Sequence, residues 1–296
     1  MNEVKSGPPL AAMREELVRL NAEQAEAFAE GAEISSLVTG RAAAIDSLLA
    51  RAWDEFELSA TPDIALVAVG GYGRAELHPQ SDVDVLILIG AEDPAVSATV
   101  SDFITFLWDL RLEIGHSVRT VQECVDHARR DITVATNLAE ARPVAGPSKL
   151  YEEMREATTA AEIWPSDEFF RAKWTEQRAR YQRFDDTTYN LEPNVKEGPG
   201  GLRDLHMIGW VAKRHFGADT LQELVEHAFL TRQEHERLIA CQRFLWQVRF
   251  ALHQITGRHE DRLLFDHQRT VAQMLGFGGD RKSTRLNSSH LVISYA

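Results

Sequence analysis

Apolar positions recur at helical spacing in parts of this chain and gather into short continuous runs in another, and that change divides it. From Leu10 to about Phe56 the text is rich in Ala, Glu, Leu and Arg, with Leu17, Leu20, Leu48 and Leu49 near helical spacing. That pattern predicts a helical N-terminal segment over 1–61. After Thr61-Pro62 the apolar residues gather into short β-branched runs, Ile64–Val69 and Val83–Ile89, bounded by Gly and Pro. Both runs predict buried strands. Val100, Phe103, Leu107 and Leu110 then fall on one helix face, and Gly115 precedes an extended segment at Ser117–Thr120. A helix near Ile132–Leu138 and a short strand near Ala141–Val144 lead to Gly146-Pro147, a breaker pair that closes a strand-containing core over 62–146.

The remainder, 147–281, reads as helical almost throughout. Its clearest stripe is Leu238, Cys241, Leu245, Val248, Leu252 and Ile255, alternating steps of three and four. Trp164, Phe169, Phe170 and Trp174 are read as core on the same grounds. The helical pattern breaks from Tyr189 to Gly201, where Pro193, Gly198, Pro199, Gly200 and Gly201 predict a long loop before a helix opening near Leu202. The segment 282–296 continues no helix and resembles nothing before it, so it is set aside as a non-native tail, of the kind left by translated sequencing-adapter read-through. Together these readings predict an α+β core followed by an all-helical domain.

Composition narrows the partners. The 296 residues carry 45 acidic and 32 basic side chains, a formal net charge of −13, which repels nucleic acid and leaves any polyphosphate contact to a local site. Two cysteines, Cys124 and Cys241, cannot build a disulfide framework and have no zinc-finger spacing. No apolar stretch approaches the ~18–20 residues of a membrane span, and the acidic start lacks a secretory profile. A cytoplasmic protein with neither a membrane nor a nucleic-acid partner is expected.

The candidate chemistry lies between the two predicted strands, in Gly70-Gly-Tyr-Gly-Arg-Ala-Glu-Leu-His-Pro-Gln-Ser-Asp-Val-Asp84. Gly70, Gly71 and Gly73 remove side chains at a strand exit, so backbone N–H groups can approach phosphate oxygens. Asp82 and Asp84 flank one apolar residue, and the period of two puts both carboxylates on one face. Such a pair can hold two magnesium ions that orient a triphosphate. Arg74 and Ser81 add a charge and a hydroxyl near the phosphates. A Walker-type loop is excluded because no Gly-Lys-Ser/Thr follows, and a dinucleotide fingerprint fails because the glycines lead to a strand.

Glycines at a strand end, followed by an apolar-flanked Asp-x-Asp opening the next strand, resemble the signature of the DNA polymerase β-like nucleotidyltransferases. The resemblance narrows through four blocks in order: Gly70–Asp82; Leu107-Trp-Asp-Leu110 with Gly115-His-Ser-Val-Arg-Thr120; Tyr189–His206; and Glu260-Asp-Arg-Leu-Leu-Phe-Asp-His267. Together, over roughly Leu10 to Asp280, they are similar to the PII uridylyltransferase/uridylyl-removing enzyme family. The resemblance implies a mixed sheet with flanking helices, Mg2+, UTP as donor and a tyrosine of a PII signalling protein as acceptor. It also implies Asp82 and Asp84 as the metal pair and catalytic residues, with Gly70 and Gly71 facing phosphate. In that family an HD phosphohydrolase domain and two ACT domains follow. No His-Asp dipeptide occurs among the eleven histidines, so the chain looks like the amino-terminal portion.

Some assignments stay open at this stage. The superfamily's third carboxylate has no obvious counterpart: Ser117 stands where one is expected, leaving Glu113 or Glu140. Lys196, Gly200, Gly201, Arg203 and Asp204 either close over the triphosphate or form a tight helix start with a structural ion pair. His206, His253, His259 and His267 are irregularly spaced and are read as satisfied core or surface histidines rather than a metal cluster. The rival activities are a glutamine synthetase adenylyltransferase-like enzyme and a non-catalytic nucleotide- or PII-binding module.

Overall fold

A computed structural model describes residues 10–184, 190–217 and 220–277, so Tyr189 and the tail 282–296 lie outside the described residues. The chain divides into two units. The first comprises Met1–Leu77 and Ser81–Ile163, the second His78–Gln80 and Trp164–Ala296.

The first unit opens with a pair of packed helices, α1 (Leu10–Ala29) and α2 (Ile34–Glu55). Glu33 caps α2 by accepting the Ser36 N–H at 3.0 Å. Then follow β1 (Ile64–Ala68), a single helical turn α3 (Gly70–Gly73), β2 (Val83–Ile89), α4 (Pro94–Asp109) and β3 (Ile114–Arg119). The unit continues through α5 (Val121–Arg130), α6 (Ile132–Ala139), β4 (Arg142–Ala145) and α7 (Lys149–Ala157). Asp93 caps α4 and places Pro94 in its first turn, where the missing N–H costs nothing. A capping box between Thr120 and Glu123 starts α5.

The sheet order is β3-β2-β1-β4. β1 pairs antiparallel with β2 and β4, while β2 and β3 are parallel and joined through α4, so the sheet is mixed. Because side chains alternate along a strand, Ile64, Leu66 and Ala68 share one face with Val83, Val85, Ile87 and Ile89. They join Trp53, Phe103 and Leu107 in the main core. Burying one such Leu, Ile or Phe is worth about 1.5–3 kcal/mol, so the register is firmly set. A slip of one residue would turn the carboxylate of Asp84 into that core. The opposite face is covered in part by α7 against β1 and β2, and by α5 against β3.

Strands β1 and β2 fall where the short apolar runs predict them, and α6 matches its predicted helix. Two local readings change. The glycines do not lead straight towards the next strand: they close one helical turn, with Gly73 N–H bonded to Val69 O at 2.9 Å and Arg74 N–H to Gly70 O at 3.1 Å. Gly146-Pro147 ends β4, and α7 beyond it stays with the sheet.

The second unit contains α8 (Ser166–Gln182), α9 (Leu202–Phe216), α10 (Leu221–Glu226), α11 (Arg232–Thr256) and α12 (Phe265–Met274). The stripe on α11 is as predicted at Leu238, Leu245, Val248 and Leu252, all buried. The aromatic reading of α8 needs correcting. Phe169 is core, whereas Phe170 and Trp174, 45% and 49% exposed, stack on each other with centroids 6.3 Å apart. They stand four residues apart on one helix face, a spacing that brings side chains together without burying them. Residues 193–195 run antiparallel to 261–263, with Val195 N–H on Asp261 O at 2.8 Å and Leu263 N–H on Pro193 O at 2.9 Å.

Candidate active site

Asp84 is the second residue of β2 and lies on the sheet face away from the main core. Its carboxylate is bordered by two glycines. A Cβ built on Gly70, which holds φ +59°, would come 3.3 Å from Asp84 Oδ2, and one built on Gly115 would come 2.2 Å from Asp84 Oδ1. Gly115 is the β3 partner of Asp84 in the parallel ladder. Any side chain at 115 would therefore displace the carboxylate. Asp82 is exposed and precedes β2 by one residue. Ser81 Oγ is shielded from solvent and has no hydrogen-bond partner among the described residues.

The glycine turn is held from behind. Tyr72, 1% exposed, donates its hydroxyl to Asp46 Oδ1 at 2.5 Å. Arg142 grips the same carboxylate through both nitrogens at 2.7 and 3.0 Å and also donates to Tyr72 O at 3.3 Å. Burial and the neighbouring Asp46 carboxylate push the Tyr72 phenol well above its ordinary range, so it stays a donor. In this way α2 and β4 fix a turn that three glycines would otherwise leave loose.

The other predicted phosphate ligands have different surroundings. A Cβ on Gly71 would make only ordinary contacts, 3.6 Å from Glu76 O and 3.7 Å from Arg74 Nη2, whereas one on Gly73 would fall 2.4 Å from Glu140 O, so that glycine is required by backbone packing. Arg74 is held between Glu76 at 3.0 Å and Glu140 at 2.7 Å. Burial alone would lower its pKa, but the two carboxylates raise it overall. Glu140, one of the two candidates for the third carboxylate, is thus the buried partner of Arg74. Glu113, the other, is exposed, and its backbone carbonyl accepts Val83 N–H at 2.8 Å.

Lys196, Gly200, Gly201 and Arg203 all belong to the second unit. There the loop closes on itself. Asn194 Oδ1 accepts the N–H groups of Lys196 and Glu197, at 3.0 and 2.6 Å, and a Cβ on Gly201 would lie 2.9 Å from three carbonyl oxygens. Arg203 pairs with Glu197 at 2.8 Å and lies over the Trp210 ring. Asp204, 6% exposed, accepts Arg180 at 2.5 Å, Tyr181 at 2.5 Å, Gln177 at 3.0 Å and Gly200 N–H at 2.7 Å. The loop thus makes a tight helix start in which Arg203 and Asp204 take separate partners instead of pairing with each other.

A second cluster in this unit surrounds Asp261. Arg249 Nε donates to it at 2.6 Å and His259 Nε2 at 2.9 Å, with His253 Nε2 3.5 Å and Lys196 Nζ 3.9 Å away. Arg249 also donates to His78 Nδ1 at 3.2 Å, and Gln80 N–H donates to His253 Nδ1 at 3.3 Å. His253, His259 and Asp261 come within metal-binding reach of one another, and His206 and His267 are not part of the set. The arrangement does not suit a metal ion. Arg249 already supplies the cation, and with Nδ1 of His253 accepting, its Nε2 must carry the proton. Burial holds His253 down to about 4 and lowers His78 as well. Burial would raise Asp261, but hydrogen bonds from His253 and His259 and the charge of Arg249 lower it overall.

Comparison with known proteins joins the two units. Residues 49–133 match the nucleotidyltransferase domain model, and residues 168–291 match the model described as GlnD PII-uridylyltransferase. A bifunctional uridylyltransferase/uridylyl-removing enzyme of Pseudomonas fluorescens is 49% identical over 95% of this chain and 31% of that protein. Those of Photobacterium profundum and Pseudomonas putida are 49% and 51% identical over 90% and 92% of the chain. Over at least nine-tenths of its length the chain is similar to these uridylyltransferases. It spans about three-tenths of the length of the curated relatives it matches.

Several residues around the candidate site carry no signal of their own in the sequence. Gly115 was visible only as a breaker before a strand; its ladder partner is what gives it a role. Asp46 and Arg142 lie far from the glycines in sequence, and nothing but tertiary packing brings them to Tyr72. Asn137, on α6, brings its carboxamide within 3.8 Å of the same Gly70 Cβ position that Asp84 approaches. No spacing rule singles it out. Among the described residues no helix is long and apolar enough to cross a membrane.

Proposed function

We propose that the first unit is the catalytic core of a nucleotidyltransferase that moves UMP from UTP to a tyrosine of a PII signalling protein, with release of pyrophosphate, in the cytoplasm. The observation that carries this reading is the clearance around Asp84, where two glycines keep side chains away from a carboxylate at the mouth of a clamped turn. Asp82 and Asp84 would hold magnesium, with the shielded Ser81 hydroxyl beside them in sequence. The donor set fits a hard cation that takes oxygen ligands. Magnesium, when bound, supplies positive charge that neutralises the triphosphate and the departing pyrophosphate.

The chain's own residues do the positioning. The glycine turn lets backbone approach the triphosphate, and the Tyr72–Asp46–Arg142 clamp keeps that backbone from moving. The phenolic oxygen of the acceptor bonds to the α-phosphorus as the bond to pyrophosphate breaks, and the phenolic proton leaves to solvent or base. Charge-neutral asparagines at both positions, Asp82→Asn with Asp84→Asn, are expected to reduce UMP transfer at least about a thousand-fold, several kcal/mol of lost charge stabilisation. The melting temperature should be retained. Incubation with labelled UTP, Mg2+ and PII reads the transfer; UMP incorporation by the double variant at the wild-type rate overturns the assignment. Competition between UTP and ATP separates this activity from adenylyl transfer.

A further inference from the structure

On that functional reading, we infer that Asn137 is a nucleotide-binding residue of the site, holding the triphosphate beside Asp84 through its carboxamide. Three observations converge. Asn137 Oδ1 and Asp84 Oδ2 lie 3.8 and 3.3 Å from one point, the position a side chain at Gly70 would occupy, so glycine keeps open a space bordered by a carboxylate and an amide. Asn137 is half-buried, and its carboxamide has no hydrogen-bond partner among the described residues. The flanking residues of α6 are otherwise used: Ala135, Thr136 and Leu138 are buried, and Thr136 returns its hydroxyl to Ile132 O at 2.7 Å.

Neither atom of the Asn137 carboxamide is sealed from solvent, so water satisfies it until a ligand entering the space takes that water's place. The ligand chemistry follows from its neighbours. The atom nearest that space is the amide oxygen Oδ1; a half-turn of the carboxamide exchanges it for N–H2, which offers neutral donors to a phosphate oxygen beside a carboxylate that would bear the metal. Glu140, on the same helix boundary, is committed to Arg74, so it does not serve this space. The two polar side chains that border the Gly70 position are one acidic and one neutral, a division suited to holding metal and phosphate side by side.

The test is calorimetric titration of UTP with Mg2+ into the whole chain, a readout independent of turnover. Asn137→Ala is expected to weaken UTP binding about tenfold, the loss of a hydrogen bond to a charged group. Asn137→Asp, nearly the same size, is expected to weaken it further by setting a carboxylate against phosphate, with an unchanged melting temperature. Wild-type affinity in Asn137→Asp overturns the inference, and that variant decides the matter if Asn137→Ala fails to fold. Binding by the wild type with no change in either variant sinks the role of Asn137 and leaves the functional reading standing. A wild type that binds no UTP with Mg2+ overturns both.

Discussion

The glycine turn of the first unit and the glycine loop of the second draw on the same residue types and use them differently. Around Gly70 the polar groups of Asp84 and Asn137 border a space that no side chain enters. Around Gly200 and Gly201 the charges neutralise one another: Asp204 collects four donors, Arg203 takes Glu197, and Lys196 leans towards Asp261. Glycine serves both cases, by clearing space for something outside the chain in one and by letting the chain close on itself in the other. Glycine content and nearby charge do not therefore distinguish a binding loop from a structural one. What distinguishes them is what borders the glycine: the side chains of Asp84 and Asn137 at Gly70, and the chain's own carbonyl oxygens at Gly201.

That contrast can be broken at its firmest point. Asp204→Ala removes the centre of the second unit's loop and leaves Arg180, 3% exposed as a side chain, without its carboxylate. Loss of one member of a buried pair costs about 3–5 kcal/mol, so the variant should unfold at markedly lower denaturant concentration. A midpoint within error of wild type would show that the loop does not depend on Asp204 and is free to serve a ligand instead.

Acid should act on the second unit through its buried histidines. His253 is held at about 4, below the ordinary 6.5, first by burial and then by Arg249. Above pH 6.5 it is neutral in both folded and unfolded chains, and its contribution is complete. As pH falls from 6.5 towards 4 the unfolded chain binds a proton that the folded chain refuses, so stability is lost over that window. His78 is displaced in the same direction. Melting curves across this range should show the decline, and His253→Gln should flatten it; an equal slope in the variant would place the acid sensitivity elsewhere.

The smallest effect is expected at Arg203. Its ion pair with Glu197 is about one-third exposed on both sides, and such pairs contribute roughly 0–1 kcal/mol. Arg203→Ala should leave stability and UTP binding nearly unchanged. A large loss of UTP binding, measured by the same calorimetry, would return the second unit's loop to the nucleotide and erase the contrast.

Much of the fold was legible from periodicity. The two central strands, the helix between β2 and β3 and the long stripe of α11 are written in local apolar spacing, because each element must turn an apolar face to a core. Asp84 was legible too, since alternation along β2 sends it away from Val83 and Val85. Phe170 and Trp174 were misread because helical spacing says which residues share a face, not whether that face is covered.

What the sequence determined by itself was the order of elements, the mixed α+β character and the segment that carries the chemistry, all consequences of interactions between residues near in the chain. Tertiary structure alone decided that Gly115 clears space for Asp84, that Asp46 and Arg142 brace Tyr72, that Asn137 reaches the same space, and that Arg74 and Glu140 occupy each other. These are contacts between residues 26 to 96 positions apart in the clamp and 66 in the Arg74 pair. They depend on how helices and strands pack, which no local pattern of apolar and polar residues encodes.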